Sequence, residues 1–143
     1  NGRCEKVIIE EILKAKSSIH VAMFKFTNGR IARALVQASR QGIDVKVLMD
    51  RDSAKDTYSK DVFLKNKGVS VVLRRGQYRD NRGHGAGLMH NKFAIIDGKI
   101  AIAGSYNWTV SAEKWNNENL LIISAVSVAR LFEREFSNLW RKK

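Results

Sequence analysis

Three apolar stretches, at residues 19–26, 43–49 and 69–73, are separated by two segments of helical period. This alternation restricts the possible folds more than any other feature of the chain. Short apolar runs bounded by glycine or polar residues suit strands buried on both faces. The first intervening segment opens at Thr27 or Asn28, turns Ile31, Leu35 and Ala38 inward, and stops at Gly42. The second covers residues 57–67 and stops at Gly68. Strand–helix–strand–helix–strand order predicts parallel strands joined by helical crossovers. Residues 5–16 predict a helix with Ile8, Ile12 and Ala15 on one face. Residues 126–140 predict a closing amphipathic helix with Val128, Leu131, Phe132, Phe136 and Leu139 inward. The expectation is an α/β fold: a mixed, largely parallel β-sheet flanked by helices on both faces, built as a single domain over residues 1–143.

Residues 92–96 form a further apolar run, Gly98 and Lys99 suit a tight turn, and residues 100–103 suit a returning strand. Alternate side chains of a strand share a face, so His90 and Lys92 point the same way. The hairpin then brings Gly104, Ser105 and Asn107 back beside them, and a strand near residues 119–123 joins the same sheet. This set suits phosphodiester cleavage. Histidine can attack phosphorus or carry a proton near neutral pH. Lysine supplies fixed positive charge, and the serine hydroxyl and asparagine amide supply hydrogen-bond donors.

The spacing of His90, Lys92 and Asp97, H-x-K-x4-D, with Gly104, Ser105 and Asn107 following, resembles the catalytic signature of the phospholipase D superfamily. The resemblance covers most of the chain and implies the phospholipase D/nuclease fold. It implies that His90 forms a phosphohistidine intermediate, that Lys92 and Asn107 hold the non-bridging oxygens, and that Ser105 adds hydrogen bonding at the phosphate. Glu118 matches the family glutamate that orients the histidine. Asp97 and Gly104 are structural members of the motif. Neither metal nor cofactor is implied.

The motif occurs once. Nucleophilic attack needs a neutral ring and leaving-group protonation a charged one. A single histidine cannot hold both states at once, so a C2 homodimer with two copies of His90 across one phosphate is expected.

Twenty-six basic against fourteen acidic residues leave a formal charge of +12, which points to a polyanionic partner. Within the superfamily this short, basic, single-motif form most resembles the bacterial Nuc-type endonucleases and the related mitochondrial Zucchini-type proteins. The implied activity is metal-independent cleavage of nucleic acid, with single-stranded DNA preferred and RNA or duplex DNA open. The alternatives are a cardiolipin-type phospholipase and a noncatalytic nucleic-acid-binding module. Between Arg74 and Met89 lies one long irregular segment in which Arg74, Arg75, Arg79, Arg82 and His84 alternate with glycines. These five are candidate substrate-binding residues, and Tyr78 is a candidate stacking ring.

Other signals have ordinary readings. Asp50 and Asp52 read as loop initiators rather than metal ligands. His84, His90 and Cys4 lack the spacing of a zinc site. His20 reads as a satisfied core histidine and Trp108 and Trp140 as packing residues, while Trp115 reads as a packing residue with a base-stacking platform as the alternative. A single cysteine forms no intrachain disulfide. No stretch approaches the length of a membrane span, so membrane association is expected only through a segment outside this sequence. The expected location is periplasmic or membrane-associated.

Overall fold

The computed structural model describes residues 3–77 and 87–141. Helix α1 (Cys4–Lys14) precedes strand β1 (Ser18–Met23), and helix α2 (Gly29–Arg40) leads to β2 (Asp44–Asp50). A 3-10 turn (Ser53–Lys55) and helix α3 (Asp61–Asn66) lead to β3 (Ser70–Arg74). Strands β4 (Lys92–Ile96) and β5 (Ile100–Gly104) form the hairpin. Helix α4 (Val110–Lys114), strand β6 (Leu120–Ser124) and helix α5 (Val126–Arg141) complete the chain.

The six strands form one mixed sheet in the order β3-β2-β1-β4-β5-β6. β1, β2 and β3 pair in parallel, as the crossover order requires. β4 pairs antiparallel to β1, with Met23 opposite Lys92, and β5 and β6 continue antiparallel. The two strand faces feed two cores. Ile19, Val21, Met23, Val47, Ala94 and Ile96 pack with Ile8 and Ile12 of α1, Ile31 and Leu35 of α2, and Leu64 of α3. Ala22, Leu48, Phe93 and Ile95 pack on the other side with Ala129 and Phe136 of α5.

Helix α2 begins as its sequence predicts. The Asn28 side-chain oxygen accepts from the N–H groups of Arg30 (2.9 Å) and Ile31 (3.2 Å). The Asn28 amide also donates to Glu5 at 2.6 Å, tying α2 to α1. Gly42 and Gly68 end α2 and α3 in the left-handed region, with φ of 87° and 84°.

Three sequence expectations need correction. β1 stops at Met23 rather than continuing to Phe26, because the chain turns there and Phe26 makes an isolated bridge to Trp108. The helix expected over residues 57–67 is shortened to Asp61–Asn66. Leu131 does not face the core: it is 55% exposed, and Ala129 and Phe136 carry the buried stripe of α5.

Candidate active site

The open end of the sheet is where β1, β2 and β3 finish and β4 begins. Open α/β sheets commonly place their ligands at the carboxyl ends of parallel strands. The Phe24 N–H donates to the Asn91 carbonyl at 2.8 Å and continues the β1–β4 pairing to the rim. His90 stands exposed at this rim, with its ring 4.4 Å from the Phe24 ring. The Lys92 ammonium lies 3.3 Å from each ring nitrogen of His90 and donates to the His90 carbonyl at 3.0 Å. It also sits 5.2 Å from the Phe24 ring centre. Burial lowers the Lys92 pKa, and the Glu118 carboxylate opposes that shift.

Ser105 and Asn119 hold each other. The Ser105 N–H donates to the Asn119 side-chain oxygen at 3.2 Å, and the Asn119 N–H donates to the Ser105 hydroxyl oxygen at 3.0 Å. A Cβ on Gly104 would overlap the Asn119 carbonyl oxygen, so this close approach requires glycine. The Ser105 hydroxyl donates to Glu118, whose other oxygen accepts from the Asn116 amide at 3.1 Å. Tyr106 points inward and donates to Glu113 at 2.8 Å. Burial, reinforced by that carboxylate, pushes the Tyr106 phenol well above the ordinary tyrosine range.

The Asn107 side-chain oxygen accepts from the Lys25 N–H at 3.2 Å. A backbone donor meets only the amide oxygen, so the Asn107 amide nitrogen is the end left to donate elsewhere. Thr109 caps α4 just beyond, accepting from the Ala112 N–H at 3.1 Å.

Asp97 adopts a left-handed conformation, with φ of 54°. Its carboxylate accepts from the N–H groups of Lys16 (2.9 Å), Ser17 (2.8 Å) and Ser18 (3.0 Å). Burial would raise its pKa, but these donors outweigh it and hold the acid below the ordinary range. Asp97 therefore clamps the α1–β1 turn at the end of β1 far from His90.

Sequence reasoning missed the role of Asp50. Its fully buried carboxylate accepts from Asp52 N (3.1 Å) and Ser53 N (2.8 Å), which is the expected loop initiation. Its other oxygen accepts from the N–H of Met89 at 3.0 Å, fixing the backbone immediately before His90. A strand-end aspartate was the only sequence signal, and it did not reveal that partner. Arg51 was missed as well. Its exposed guanidinium has no ion pair among the described residues, and it lines a cleft of about 590 Å³ with Arg75, Leu88, Met89 and Asn91.

The arginine-rich segment behaves differently from expectation. Arg74 donates to the carbonyls of Leu139 (3.2 Å) and Trp140 (3.0 Å), closing the last turn of α5. It is committed to the fold rather than offered to a phosphate. Arg75 forks onto Asp52 at 3.0 and 3.1 Å, which holds that carboxyl far below the usual range. Arg79, Arg82, His84 and Tyr78 lie outside the described residues.

The expected contact from Glu118 to His90 is also not formed. Among the described residues the Glu118 carboxylate is bound by Ser105 and Asn116. His20 is satisfied by Glu133 (2.6 Å) and Asp44 (3.3 Å) and stacks on Phe136. Trp115 is not a packing residue: it is 74% exposed.

A family model described as cardiolipin synthase, PLD-like domain, matches residues 8–140. Mitochondrial cardiolipin hydrolase of Danio rerio is 35% identical over 133 residues, covering 93% of this chain and 55% of that protein. The chain thus spans just over half the length of this relative. NucT from Helicobacter pylori superposes with a TM-score of 0.88 at 29% identity, over 94% of this chain and 86% of that one. Nuc from Salmonella typhimurium, a phospholipase D family member, superposes with a TM-score of 0.83 at 27% identity, over 94% and 85% of the two chains.

Proposed function

The chain belongs to the PLD-like domain family, and from that premise we propose that it is a phosphodiesterase cleaving nucleic acid through His90, with single-stranded DNA preferred. One observation carries this reading. The exposed His90 ring and the Lys92 ammonium meet at the open sheet end, 3.3 Å apart. A phosphate placed against the ring would rest a non-bridging oxygen on Lys92, and the Asn107 amide nitrogen supplies a further donor, while the Ser105 hydroxyl gives its one proton to Glu118. The family resemblance gives these residues their roles, with Glu118 positioning the Ser105 hydroxyl by the hydrogen bond it accepts.

The steps balance without a metal. A neutral His90 nitrogen attacks phosphorus, the P–O bond to the leaving alcohol breaks, and a second histidine gives that oxygen its proton. Water then attacks the phosphohistidine, and its proton returns to the second histidine. The products are a phosphomonoester and an alcohol. The second histidine is His90 of another copy, so the active form is a homodimer. The single motif and the openness of His90 support this. So does the outer edge of β6, where Leu121 is 59% and Ile122 37% exposed.

Nucleic acid is favoured over lipid by the charge of +12 and by the likeness to both Nuc structures. The lipid reading stands second, on the Danio rerio relative named for cardiolipin hydrolysis. The test is parallel cleavage of labelled single-stranded DNA, duplex DNA, RNA and cardiolipin in excess EDTA, with His90→Ala as control. Nucleic-acid cleavage that survives EDTA and vanishes in the variant is expected. Lipid turnover alone would replace this reading with the phospholipase. Cleavage persisting in His90→Ala would remove His90 as nucleophile. Mixed dimers with one His90→Ala subunit should lose activity, and full activity in them, or in dilute monomers, would refute the shared site.

A further inference from the structure

Trp115 is the most exposed large apolar side chain among the described residues, at 74%. The other two tryptophans are accounted for by packing: Trp108 is 1% exposed and meets Phe26 edge-on, and Trp140 stacks on Phe136. An indole left in water on a fixed backbone calls for a partner.

The main chain that carries the ring is fixed. The Trp115 backbone N–H donates to the Ser111 carbonyl at 2.9 Å at the end of α4, and Thr109 caps the start of that helix. The next residue, Asn116, donates to Glu118, and Glu118 accepts from Ser105. Trp115 is therefore three residues from the carboxylate that holds Ser105, within about 10 Å along an extended chain. That is the reach of a neighbouring nucleotide from the scissile phosphate.

The neighbours of the ring select the partner. Lys114, Asn116 and Asn117 are all exposed and polar, so along the chain Trp115 presents a flat aromatic face among polar residues with a cation beside it. A lipid anchor uses contiguous apolar surface. A nucleobase needs one aromatic face with cations nearby for its phosphates.

We propose that Trp115 is a stacking platform for the unpaired base next to the scissile phosphate, and that it gives the site its preference for single strands. The inference rests on the nucleic-acid reading above. A base inside a duplex has no free face to offer, whereas every unpaired base has one.

The first readout is fluorescence. Trp115 is the most exposed of the three indoles, so His90→Ala protein reports on it without turnover. A short thymidine oligonucleotide should quench the emission, and an abasic oligonucleotide of equal length and charge should not. The quenching should be absent from the doubly substituted His90→Ala, Trp115→Phe protein. The second readout is kinetic. Trp115→Ala should raise KM on single-stranded DNA about tenfold, and Trp115→Phe should restore it to within about threefold. Abasic and duplex substrates should not distinguish Trp115→Ala from the wild type.

Equal KM on thymidine strands for Trp115→Ala and wild type overturns the proposal. So does equal loss on abasic strands, or quenching by cardiolipin vesicles and by no oligonucleotide. Loss of self-association in Trp115→Ala, measured by sedimentation, would also overturn it and assign the ring to a subunit contact. A wild-type chain that cleaves no nucleic acid would refute the nucleic-acid reading itself. That result is separate from a wild type that cleaves with Trp115 indifferent.

Discussion

Replacing Asp50 by asparagine should cost the protein both stability and turnover. The carboxylate is fully buried and accepts three backbone donors: Asp52 and Ser53 on one oxygen, Met89 on the other. Asparagine has one oxygen. If it keeps the Asp52 and Ser53 bonds, its amide N–H is forced against the Met89 N–H, which is buried and out of reach of water. A hydrogen bond to a charged group contributes about 1.5–3 kcal/mol, and stranding a buried donor costs about 1–3 kcal/mol. The two overlap, so the net loss is about 2–4 kcal/mol. At roughly 4 °C per kcal/mol for a chain of this size, Tm should fall by about 8–16 °C. Met89 precedes the proposed nucleophile, and a misplacement of about 1 Å costs about a hundredfold in rate. Turnover measured well below the new Tm should therefore drop about 10–100-fold. Asp52→Asn is the control, since among the described residues Asp52 touches Arg75, Lys55 and its own loop. Unchanged urea midpoint and kcat in Asp50→Asn would refute the whole argument. Lost stability with intact kcat would refute only the claim that Asp50 positions His90.

Arg74→Ala removes two donors from the end of α5 and should cost about 1–2 kcal/mol in urea unfolding while leaving KM within about twofold; a raised KM at wild-type stability would return Arg74 to the substrate. Gly104→Ala drives a methyl into the Asn119 carbonyl and should cost about 1–3 kcal/mol together with most activity, read by thermal melt and cleavage assay; wild-type values for both would deny the close approach. Burial depresses the His20 pKa, but Glu133 and Asp44 outweigh it and raise it above its unfolded value, against opposition from Lys46. The stabilisation is then complete below the unfolded pKa and lost as pH rises through the folded one. The urea midpoint should fall over that interval in the wild type and less in His20→Gln, and parallel curves would contradict it.

The sequence revealed most where periodicity governs. Parallel β1, β2 and β3 follow from apolar runs separated by helical segments, and the shared direction of His90 and Lys92 follows from strand alternation. Helix α4 was not anticipated, because five residues are too few for a helical period to register, and only the Thr109 cap marked it. The partners of Arg74 lie 65 and 66 residues away and those of Asp50 up to 39, so neither could be read from neighbours in the chain. Glu118 illustrates a different limit. The family pattern pointed to it as the partner of His90, and its hydrogen bonds go to Ser105 and Asn116 instead. Leu131 fits the apolar count of α5 but lies on the wrong side of the stripe set by Ala129 and Phe136.

The side chains proposed to act together are held by separate parts of the fold. His90 follows Met89, which is buried in the α5 core and bonded to Asp50 on β2. Ser105 depends on the Gly104–Asn119 contact between β5 and β6. Asn107 is oriented by the Lys25 N–H after β1. Both cores therefore bear on the proposed phosphate position, and neither could be lost without moving one of the groups. This explains why so small a domain commits a buried carboxylate and a sterically required glycine to the rim. Side chains on exposed, independent loops would drift relative to one another by more than the reaction tolerates. Anchoring each to a different strand of one sheet makes their spacing a property of the sheet itself.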